Sequence, residues 1–216
     1  MSSLEGRRAI VIGGGSGIGL GAARLLARDG AAVTIVGRTE GKLADAVNAL
    51  PDEGLGVASC PADAMDAADV RRAVAAAADG EGRLHIAVVV PGGGSIKPVL
   101  RYGDDQFSQE VDRNVRPVFL LLKHAGNAMV RAGGGAFVAV SSTAAVFSTR
   151  YIASYAAGKA AVDQLVRVAA DELGRLNIRV NGVRPGMTRT ATTAGAFANP
   201  AMMQAFLDGQ PIARHG

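Results

Sequence analysis

Short apolar runs alternate along this chain with stretches in which apolar positions recur every three or four residues. The runs have the length of buried strands, and the stretches have the period of helices packed on one face. Strands that alternate with helices form a parallel sheet covered on both sides. The expected fold is therefore a doubly wound α/β fold, with strands near 8–12, 32–36, 55–59, 84–90, 136–141 and 178–183 and helices near 18–28, 40–49, 66–78, 105–131 and 152–174.

Length and charge narrow the classes of protein. A chain of 216 residues suits one such sheet and is short for two cores, so we expect a single domain over 1–216. The net charge of +4 comes without any run of basic residues, and aromatic residues make up only 4% of the chain. Nucleic-acid surfaces need clustered basic residues, usually interleaved with aromatic ones. We therefore expect no nucleic-acid partner.

Metal, disulfide and membrane features are not expected either. Cys60 is the one cysteine, which excludes a disulfide within the chain. Asp63, Asp66 and Asp69 recur at threes, but they suit the start of a helix better than a calcium loop, and the histidines lack ligand spacing. The sequence shows neither a signal peptide nor a membrane-spanning apolar stretch. The expectation is a cytoplasmic protein with no metal site and no membrane contact.

A glycine-rich turn separates the first predicted strand from the first predicted helix. A helix N-terminus presents free amides and partial positive charge, and glycines let a pyrophosphate approach without Cβ clashes. The spacing Gly13-x-x-x-Gly17-x-Gly19 begins where the strand ends, whereas the alternative frame Gly17-x-Gly19-x-x-Ala22 begins later. No Gly-Lys-Ser/Thr closes the turn, so it is not a nucleoside-triphosphate loop. The turn predicts a dinucleotide-binding loop formed by Gly13, Ser16, Gly17, Ile18 and Gly19.

The second predicted strand ends in Gly37 and Arg38. At such a strand end an acidic residue binds the ribose of NAD, whereas an arginine suits the 2′-phosphate of NADP. The sequence therefore favours NADP(H). NAD(H) remains open because an arginine can also stack on adenine, and a solvated arginine beside a turn is the alternative interpretation.

Tyr155 and Lys159 lie four positions apart in a predicted helix, so their side chains share one face. An ammonium close to a phenol favours the phenolate, which suits acid and base chemistry near neutral pH. Taken alone, such a pair is common on ordinary helix surfaces. With Ser142 and Asn114 preceding it, the pair combines an acid, its activator and a carbonyl-polarising hydroxyl. The set predicts carbonyl reduction or alcohol oxidation.

In order and spacing, these motifs resemble the short-chain dehydrogenase/reductase family over essentially the whole chain. The family's catalytic residues fall on Asn114, Ser142, Tyr155 and Lys159. Its cofactor contacts outside the glycine turn fall on Asp63 and Ala64, on Gly92, on Tyr155 and Lys159, and on Pro185, Gly186, Thr188 and Thr190 of a Pro-Gly-x-x-x-Thr motif. The resemblance implies a Rossmann-like fold.

The resemblance also implies a mechanism and an assembly. Tyr155 would donate the proton, Ser142 would hydrogen-bond the carbonyl oxygen, and Lys159 would activate Tyr155 and bind the nicotinamide ribose. Asn114 would hold a water, and a proton from this water would pass through Lys159 to replace the one that Tyr155 donates. Members commonly form homodimers or homotetramers through the helices that correspond to 105–131 and 152–174.

Several positions depart from the family pattern. Ile12 stands where threonine is usual, and Val89-Val90-Pro91-Gly92 stands where Asn-Asn-Ala-Gly is usual. Polar side chains beside the central strand are therefore missing, which puts the geometry there in question. His85 replaces an aspartate and Gly158 replaces a serine. The segment 210–216 resembles the lead into a further helix, so the last helix and the seventh strand of the family are expected to be missing.

The substrate pocket is expected beneath a lid at 191–208. Most of its candidate lining is apolar, which favours a ketone, quinone, steroid-like or acyl substrate over a free sugar: Ser95, Ile96, Ala144, Phe147, Ile152 and Met187. Arg150 and Arg189 could instead receive an anionic group. The interpretation is an NADP(H)-dependent oxidoreductase that interconverts a carbonyl and an alcohol on a small molecule. The alternative is a dinucleotide-binding sensor or structural subunit without turnover.

Overall fold

The structure is a computed structural model that describes residues 3–50 and 56–208. The segment 210–216, singled out for its resemblance to a family lead-in, lies outside these residues. The strands are β1 (Arg8–Ile12), β2 (Ala32–Gly37), β3 (Val57–Pro61), β4 (Ile86–Val89), β5 (Gly135–Val140) and β6 (Ile178–Val183). The α-helices are α1 (Gly17–Arg28), α2 (Glu40–Asn48), α3 (Ala67–Ala77), α4 (Asp104–Arg131), α5 (Ala153–Gly174), α6 (Ala194–Phe197) and α7 (Pro200–Asp208).

All described strands join one parallel sheet in the order β3-β2-β1-β4-β5-β6. Ile10 of β1 lies opposite Thr34 of β2 on one side and opposite Ala87 of β4 on the other. The chain moves outward from β1 to β3 and then resumes at β4, on the other side of β1. Such a reversal leaves a crevice outside the carboxyl ends of the strands. The topology thus places this crevice between β1 and β4.

The core has two layers because alternate residues of each strand face opposite sides of the sheet. Ile10 and Ile12 pack into a cluster with residues of α3, α4 and α5. Ala9 and Val11 pack into the other cluster, with residues of α1 and α2. All four side chains are buried. Burial on both faces explains why β1 is an unbroken apolar run rather than an alternating one.

The predicted strands and helices are confirmed, all of them to within two residues at each end. The third strand is shifted as a whole by two residues, from 55–59 to Val57–Pro61, and the fifth by one residue, from 136–141 to Gly135–Val140. Its pairing with β2 continues until Pro61 lies opposite Gly37. Proline is tolerated there because β3 is an edge strand and needs no amide on its open side.

The last described part of the chain lies outside the core. Helices α6 and α7 follow β6, and no residue of α6 is buried. β6 is the other edge of the described sheet, with Arg179 and Asn181 exposed. Over the ranges 3–50 and 56–208, we find no helix with the length and apolar character needed to cross a membrane.

Candidate active site

Two adjoining cavities, of about 290 Å³ and about 480 Å³, lie at the reversal point between β1 and β4. They share Gly13, Arg38 and Gly92, among others, so they form one groove from the end of β2 to the segment after β6. Most of the residues predicted from sequence line this groove: Gly13, Ser16, Gly17, Ile18, Arg38, Asp63, Ala64, Gly92, Ser142, Tyr155, Lys159, Pro185, Gly186, Thr188 and Thr190. Gly19 and Asn114 are buried and do not line it.

Backbone packed against backbone shapes the glycine turn. Gly13 has a φ of +79°, and its amide donates to the carbonyl of Val36 at 2.8 Å. A Cβ on Gly19 would lie 2.2 Å from the Gly13 carbonyl oxygen, so only glycine lets the two segments approach this closely. Gly19 therefore acts by permitting the shape of the turn rather than by lining the groove.

Helix α1 begins at Gly17, immediately after the turn. Ser16 is its N-cap residue and makes no side-chain capping bond. The first amides of a helix have no intrahelical acceptor and carry partial positive charge. Because Ser16, Gly17 and Ile18 line the groove, this helix N-terminus gives the groove an end that can bind an anion.

Three basic side chains line the groove at the carboxyl end of β2: Arg38, Lys42 and Arg113. Sequence reasoning missed Lys42 and Arg113. Lys42 could have been found, because it lies in the first turn of the helix that follows Arg38. Arg113 could not, because only the packed fold shows that α4 reaches the cavity beside β2.

Asp63, Asp66 and Asp69 cap one another rather than surround an ion. Asp66 is the N-cap of α3, and its carboxylate accepts the amide of Asp69 at 2.8 Å. The Asp69 carboxylate accepts the amide of Asp63 at 2.8 Å. The helix-start interpretation of these residues is thus confirmed. Within the described parts of the chain, no group of three or more His, Cys, Asp or Glu residues could hold a metal ion.

Lys159 is held in place beneath the groove by two main-chain carbonyls. It is 2% exposed, and its ammonium donates to Pro91 O at 2.8 Å and to Val140 O at 2.9 Å. The same ammonium lies 5.4 Å from the centre of the Tyr155 ring. Burial lowers the pKa of Lys159 to about 8, while the charge of Asp163 acts in the opposite direction. The fold thus brings Lys159 and Tyr155 together.

Asn114 is fully buried under the same site. Its amide nitrogen donates to Gly93 O at 3.0 Å and to Glu110 O at 2.8 Å. Its side-chain oxygen has no hydrogen-bond partner among the described residues. A buried polar atom without a partner is rare and normally binds a water or a ligand. The Asn114 oxygen therefore marks a place for one further donor beside Lys159.

The two serines that follow β5 have different environments. The buried Ser141 hydroxyl donates to the carbonyl of Lys159 at 3.2 Å and ties β5 to α5. Ser142 starts a short 3-10 helix, and its oxygen accepts the amide of Ala144 at 3.2 Å. In that contact the Ser142 oxygen is the acceptor, so its hydroxyl hydrogen is not used by it. Ser142 lines the same cavity as Tyr155.

Two segments that contain departures from the family pattern pack closely around Asn114 and Lys159, and Gly92 within them keeps the pattern. Pro91 contributes its carbonyl to Lys159, which requires no side chain. Gly92 has a φ of +113°, and a Cβ there would lie 2.1 Å from the Asn114 oxygen. A Cβ on Gly158 would lie 2.8 Å from the Cβ of Asn114. The apolar and glycine residues thus let Asn114 and Lys159 approach the loop backbone directly.

The residues present fit a dinucleotide with a nicotinamide. Glycines at Gly13 and Gly19 leave room where a Cβ would collide with backbone, and the Asn114 oxygen is unpaired next to Lys159. Basic side chains lie at one end of the groove, and a hydroxyl pair, Ser142 and Tyr155, lies at the other. The groove therefore offers anion binding at one end and proton transfer at the other.

Comparisons with known proteins identify the family and the fold of this chain. A family model described as short chain dehydrogenase matches residues 7–201. An A-factor type gamma-butyrolactone 1'-reductase (1S-forming) from Streptomyces virginiae is 38% identical over 200 residues, which cover 91% of this chain and 78% of that protein. A solved short-chain type dehydrogenase/reductase from Mycobacterium ulcerans is 40% identical with a TM-score of 0.94, covering 99% of this chain and 79% of that one.

A third protein is similar in structure and carries a cofactor. It is a gluconate 5-dehydrogenase from Burkholderia cenocepacia J2315, solved in complex with NADP and tartrate. Its chain is 30% identical with a TM-score of 0.91, and the match covers 99% of this chain and 84% of that one.

Proposed function

This chain belongs to the short-chain dehydrogenase/reductase family and acts on CH–OH groups, and we propose that it transfers hydride with NADP(H), using Tyr155 as acid and base. The proposed substrate is an apolar small molecule or an acyl compound. The observation that carries the proposal is the Lys159 ammonium, fixed by two carbonyls at 5.4 Å from the Tyr155 ring inside the groove.

Proton transfer is the part of the reaction that this chain's own residues perform. When bound, the nicotinamide supplies or accepts the hydride. In the reductive direction the Tyr155 hydroxyl gives its proton to the substrate oxygen, and the Ser142 hydroxyl hydrogen-bonds that oxygen. The Lys159 ammonium stabilises the negative charge left on Tyr155. The unpaired Asn114 oxygen is placed to hold a water through which the proton is replaced.

NADP(H) is proposed over NAD(H) on the basis of charge at the end of β2. Arg38, Lys42 and Arg113 line the cavity there, and a 2′-phosphate is the cofactor group that such a cluster would bind. The similar gluconate 5-dehydrogenase was solved with NADP, which supports the same choice.

The apolar substrate class is proposed from exposed apolar side chains in the loop after β4 and in the segment between Ser142 and Tyr155. Ile96 is 71% exposed and Phe147 is 67% exposed, although both are large apolar side chains. The amide of Lys97, next to Ile96, donates to Tyr151 O at 2.7 Å, which joins the loop after β4 to the segment before α5. Arg189 lies 4.3 Å from the centre of the Phe197 ring in the lid, a contact that an anionic substrate would have to compete with.

Assembly through α4 and α5 is part of the proposal. These helices pack against each other and also leave apolar side chains exposed, among them Phe119, Val130 and Val168. A homodimer or homotetramer that buries them is expected in sedimentation experiments. A monomer at micromolar concentration would contradict this part of the proposal without affecting the chemistry.

Tyr155→Phe tests the role of the hydroxyl. We expect kcat for carbonyl reduction to fall by about 100-fold or more, because general acid catalysis is lost, while NADPH still binds. Tyr151→Phe is the matched control, since it removes an exposed hydroxyl with an intact main chain. Turnover by Tyr155→Phe above a few percent of the wild-type value would contradict the assignment.

Arg38→Ala tests the choice of cofactor. Binding is measured by titrating NADPH and NADH and following their own emission, which is simple because the chain has no tryptophan. Loss of one charge-assisted contact should weaken NADPH binding by about tenfold or more and leave NADH binding unchanged. The exposed Arg28→Ala is the control for net charge. Equal losses for both cofactors would contradict a 2′-phosphate contact.

A further inference from the structure

Helix α4 carries a buried carboxylate that the reaction described above does not use. Glu110 is 5% exposed, lies one helical turn before Asn114, and makes no ion pair within residues 3–50 and 56–208. Four hydrogen bonds compensate its charge instead. Ser154 Oγ donates at 2.5 Å, Ser95 Oγ at 2.6 Å, Gln106 Nε2 at 2.9 Å and the Ser95 amide at 3.0 Å.

These donors keep the carboxylate charged. Hydrogen bonds from Ser154 and then Ser95 hold the pKa of Glu110 down to about 2, although burial acts to raise it. A buried charge is tolerated when it is fully hydrogen-bonded, and removing one partner leaves a costly unpaired group. The four bonds therefore all stabilise the same buried charge on Glu110.

Gln106 lies on α4 itself, whereas the two serine donors come from two other segments. Ser154 immediately precedes Tyr155 on α5. Ser95 belongs to the loop after β4, where a Cβ on Gly94 would lie 3.0 Å from the Cβ of Tyr155. The loop backbone thus packs directly against Tyr155, and Glu110 binds the residues next to both sides of that contact.

The same loop lacks polar side chains where the family pattern has them, nearer the strand. Val89-Val90-Pro91-Gly92 offers only main-chain groups for hydrogen bonding. Ser95 carries the first side chain of the loop that can hydrogen-bond to a helix. The Glu110 carboxylate accepts hydrogen bonds from both the amide and the hydroxyl of Ser95. Glu110 therefore attaches the first polar residue of this loop to α4.

We propose that Glu110 is a positioning residue that clamps Ser95 and Ser154 together and so fixes the spacing between the loop after β4 and Tyr155. This inference rests on the proposed role of Tyr155 for its catalytic part. The clamp holds the wall against which a substrate carbonyl is aligned, and it leaves the glycine turn and the cofactor end of the groove untouched.

The clamp also deepens the proposal of an apolar substrate. The single hydroxyl hydrogen of Ser95 is given to Glu110, and its oxygen accepts from Gln106 at 3.0 Å. Ser95 therefore has no hydrogen left for a substrate, contrary to its place among the expected lining residues. The exposed Ile96 is the neighbouring side chain of this loop that remains available to contact a substrate.

Glu110→Gln is the central test, because it removes the charge and one acceptor at nearly constant size. The exposed Glu172→Gln on α5 is the matched control. Hydrogen exchange should show the amides of 93–97 exchanging at least about tenfold faster in Glu110→Gln, with the amides of β1 unchanged. Unchanged exchange of 93–97, or equally faster exchange throughout the sheet, would overturn the clamp.

Kinetics test the catalytic part. For a carbonyl compound that the wild type reduces, Glu110→Gln should lower kcat by about ten- to a hundredfold without weakening NADPH binding. A parallel loss of NADPH affinity, or unchanged kcat, would overturn the positioning role. Turnover retained by Tyr155→Phe would instead remove the proposed function, and the exchange experiment would still decide whether the clamp exists.

Ser154→Ala and Ser95→Ala keep the proposal testable if Glu110→Gln does not fold. Each removes donors to Glu110 from one side of the clamp only. If the bonds act as a unit, either variant should give part of the effect on exchange and kcat, and the double variant should lose less than the sum. Strictly additive, independent effects would overturn the clamp.

Discussion

Two loops meet at the groove, and different forces hold them. The β1 loop, residues 13–16, is shaped by glycines and by main-chain bonds such as Gly13 to Val36. The β4 loop, residues 90–97, is held by side chains of Lys159, Asn114 and Glu110, which reach it from α4 and α5. A loop shaped by its own glycines and main-chain hydrogen bonds can be recognised from the local spacing of residues. A loop held by side chains that are distant in the sequence cannot be recognised in this way.

The largest effect is expected from a substitution that disrupts the β1 loop. In Gly19→Ala the new Cβ meets the Gly13 carbonyl at 2.2 Å, so the free energy of unfolding should fall by about 1–3 kcal/mol and NADPH binding should be lost. Gly21→Ala is the matched control, because nothing lies within 4 Å of its Cβ and alanine favours a helix. Denaturant unfolding and NADPH emission measure both. Equal behaviour of the two variants would contradict the backbone account.

Substitutions of two adjacent glycines test the β4 loop without changing the β1 loop. Gly92→Ala and Gly93→Ala both force a side chain onto a positive φ, which costs about 1–2 kcal/mol. Only Gly92→Ala also places its Cβ 2.1 Å from the Asn114 oxygen, whereas Gly93 has nothing within 4 Å. We expect kcat to fall at least about tenfold further in Gly92→Ala. Similar kcat values would mean that Asn114 does not depend on this loop.

Titration sharpens the comparison, because Lys159 contacts the β4 loop while the β1 loop has no ionisable side chain. The pKa of Lys159 is about 8 in the folded protein, so kcat/KM should fall above about pH 8 as its charge is lost. A profile that stays flat from pH 7 to 9.5 would contradict a role for this ammonium.

The same lowered pKa has a consequence for stability. Burial disfavours the charged form of Lys159 in the folded protein, where its pKa is about 8. In the unfolded chain the pKa of Lys159 is near 10.5, so the unfolded chain binds more protons than the folded protein between about pH 8 and about pH 10.5. Stability relative to Lys159→Met should therefore rise as pH increases from about 8 to about 10.5. Denaturant midpoints across this range measure the change, and a relative decrease would contradict the sign.

The smallest expected effect concerns Asp163, one turn beyond Lys159. Its carboxylate is buried, pairs with Arg184 at 2.6 Å and raises the pKa of Lys159. In Asp163→Asn the pKa of Lys159 should fall below about 8, so the alkaline decline of kcat/KM should move to lower pH. Asp171→Asn, an exposed change on the same helix, should leave the profile in place. A shift to higher pH would contradict this electrostatic account.

The contrast between the loops explains which features could be predicted from sequence. The glycine turn and the Tyr155–Lys159 pair depend on neighbours a few positions apart, and the structure places them where their spacing indicated. Glu110 also lies near a predicted residue, one turn before Asn114. Its partners Ser95 and Ser154 are far from it in the sequence, so nothing in the local pattern marked it.

The sequence itself determines the order of strands and helices, the glycine turn and the residue types for proton transfer. It can do so because helix and strand periods and glycine spacing are local properties. Only the tertiary structure decided that Arg113 joins Arg38, that Pro91 and Val140 bind Lys159, and that Glu110 clamps two segments. These contacts depend on how α4 and α5 pack against the sheet. Packing brings together residues whose separation along the chain carries no signal of their contact.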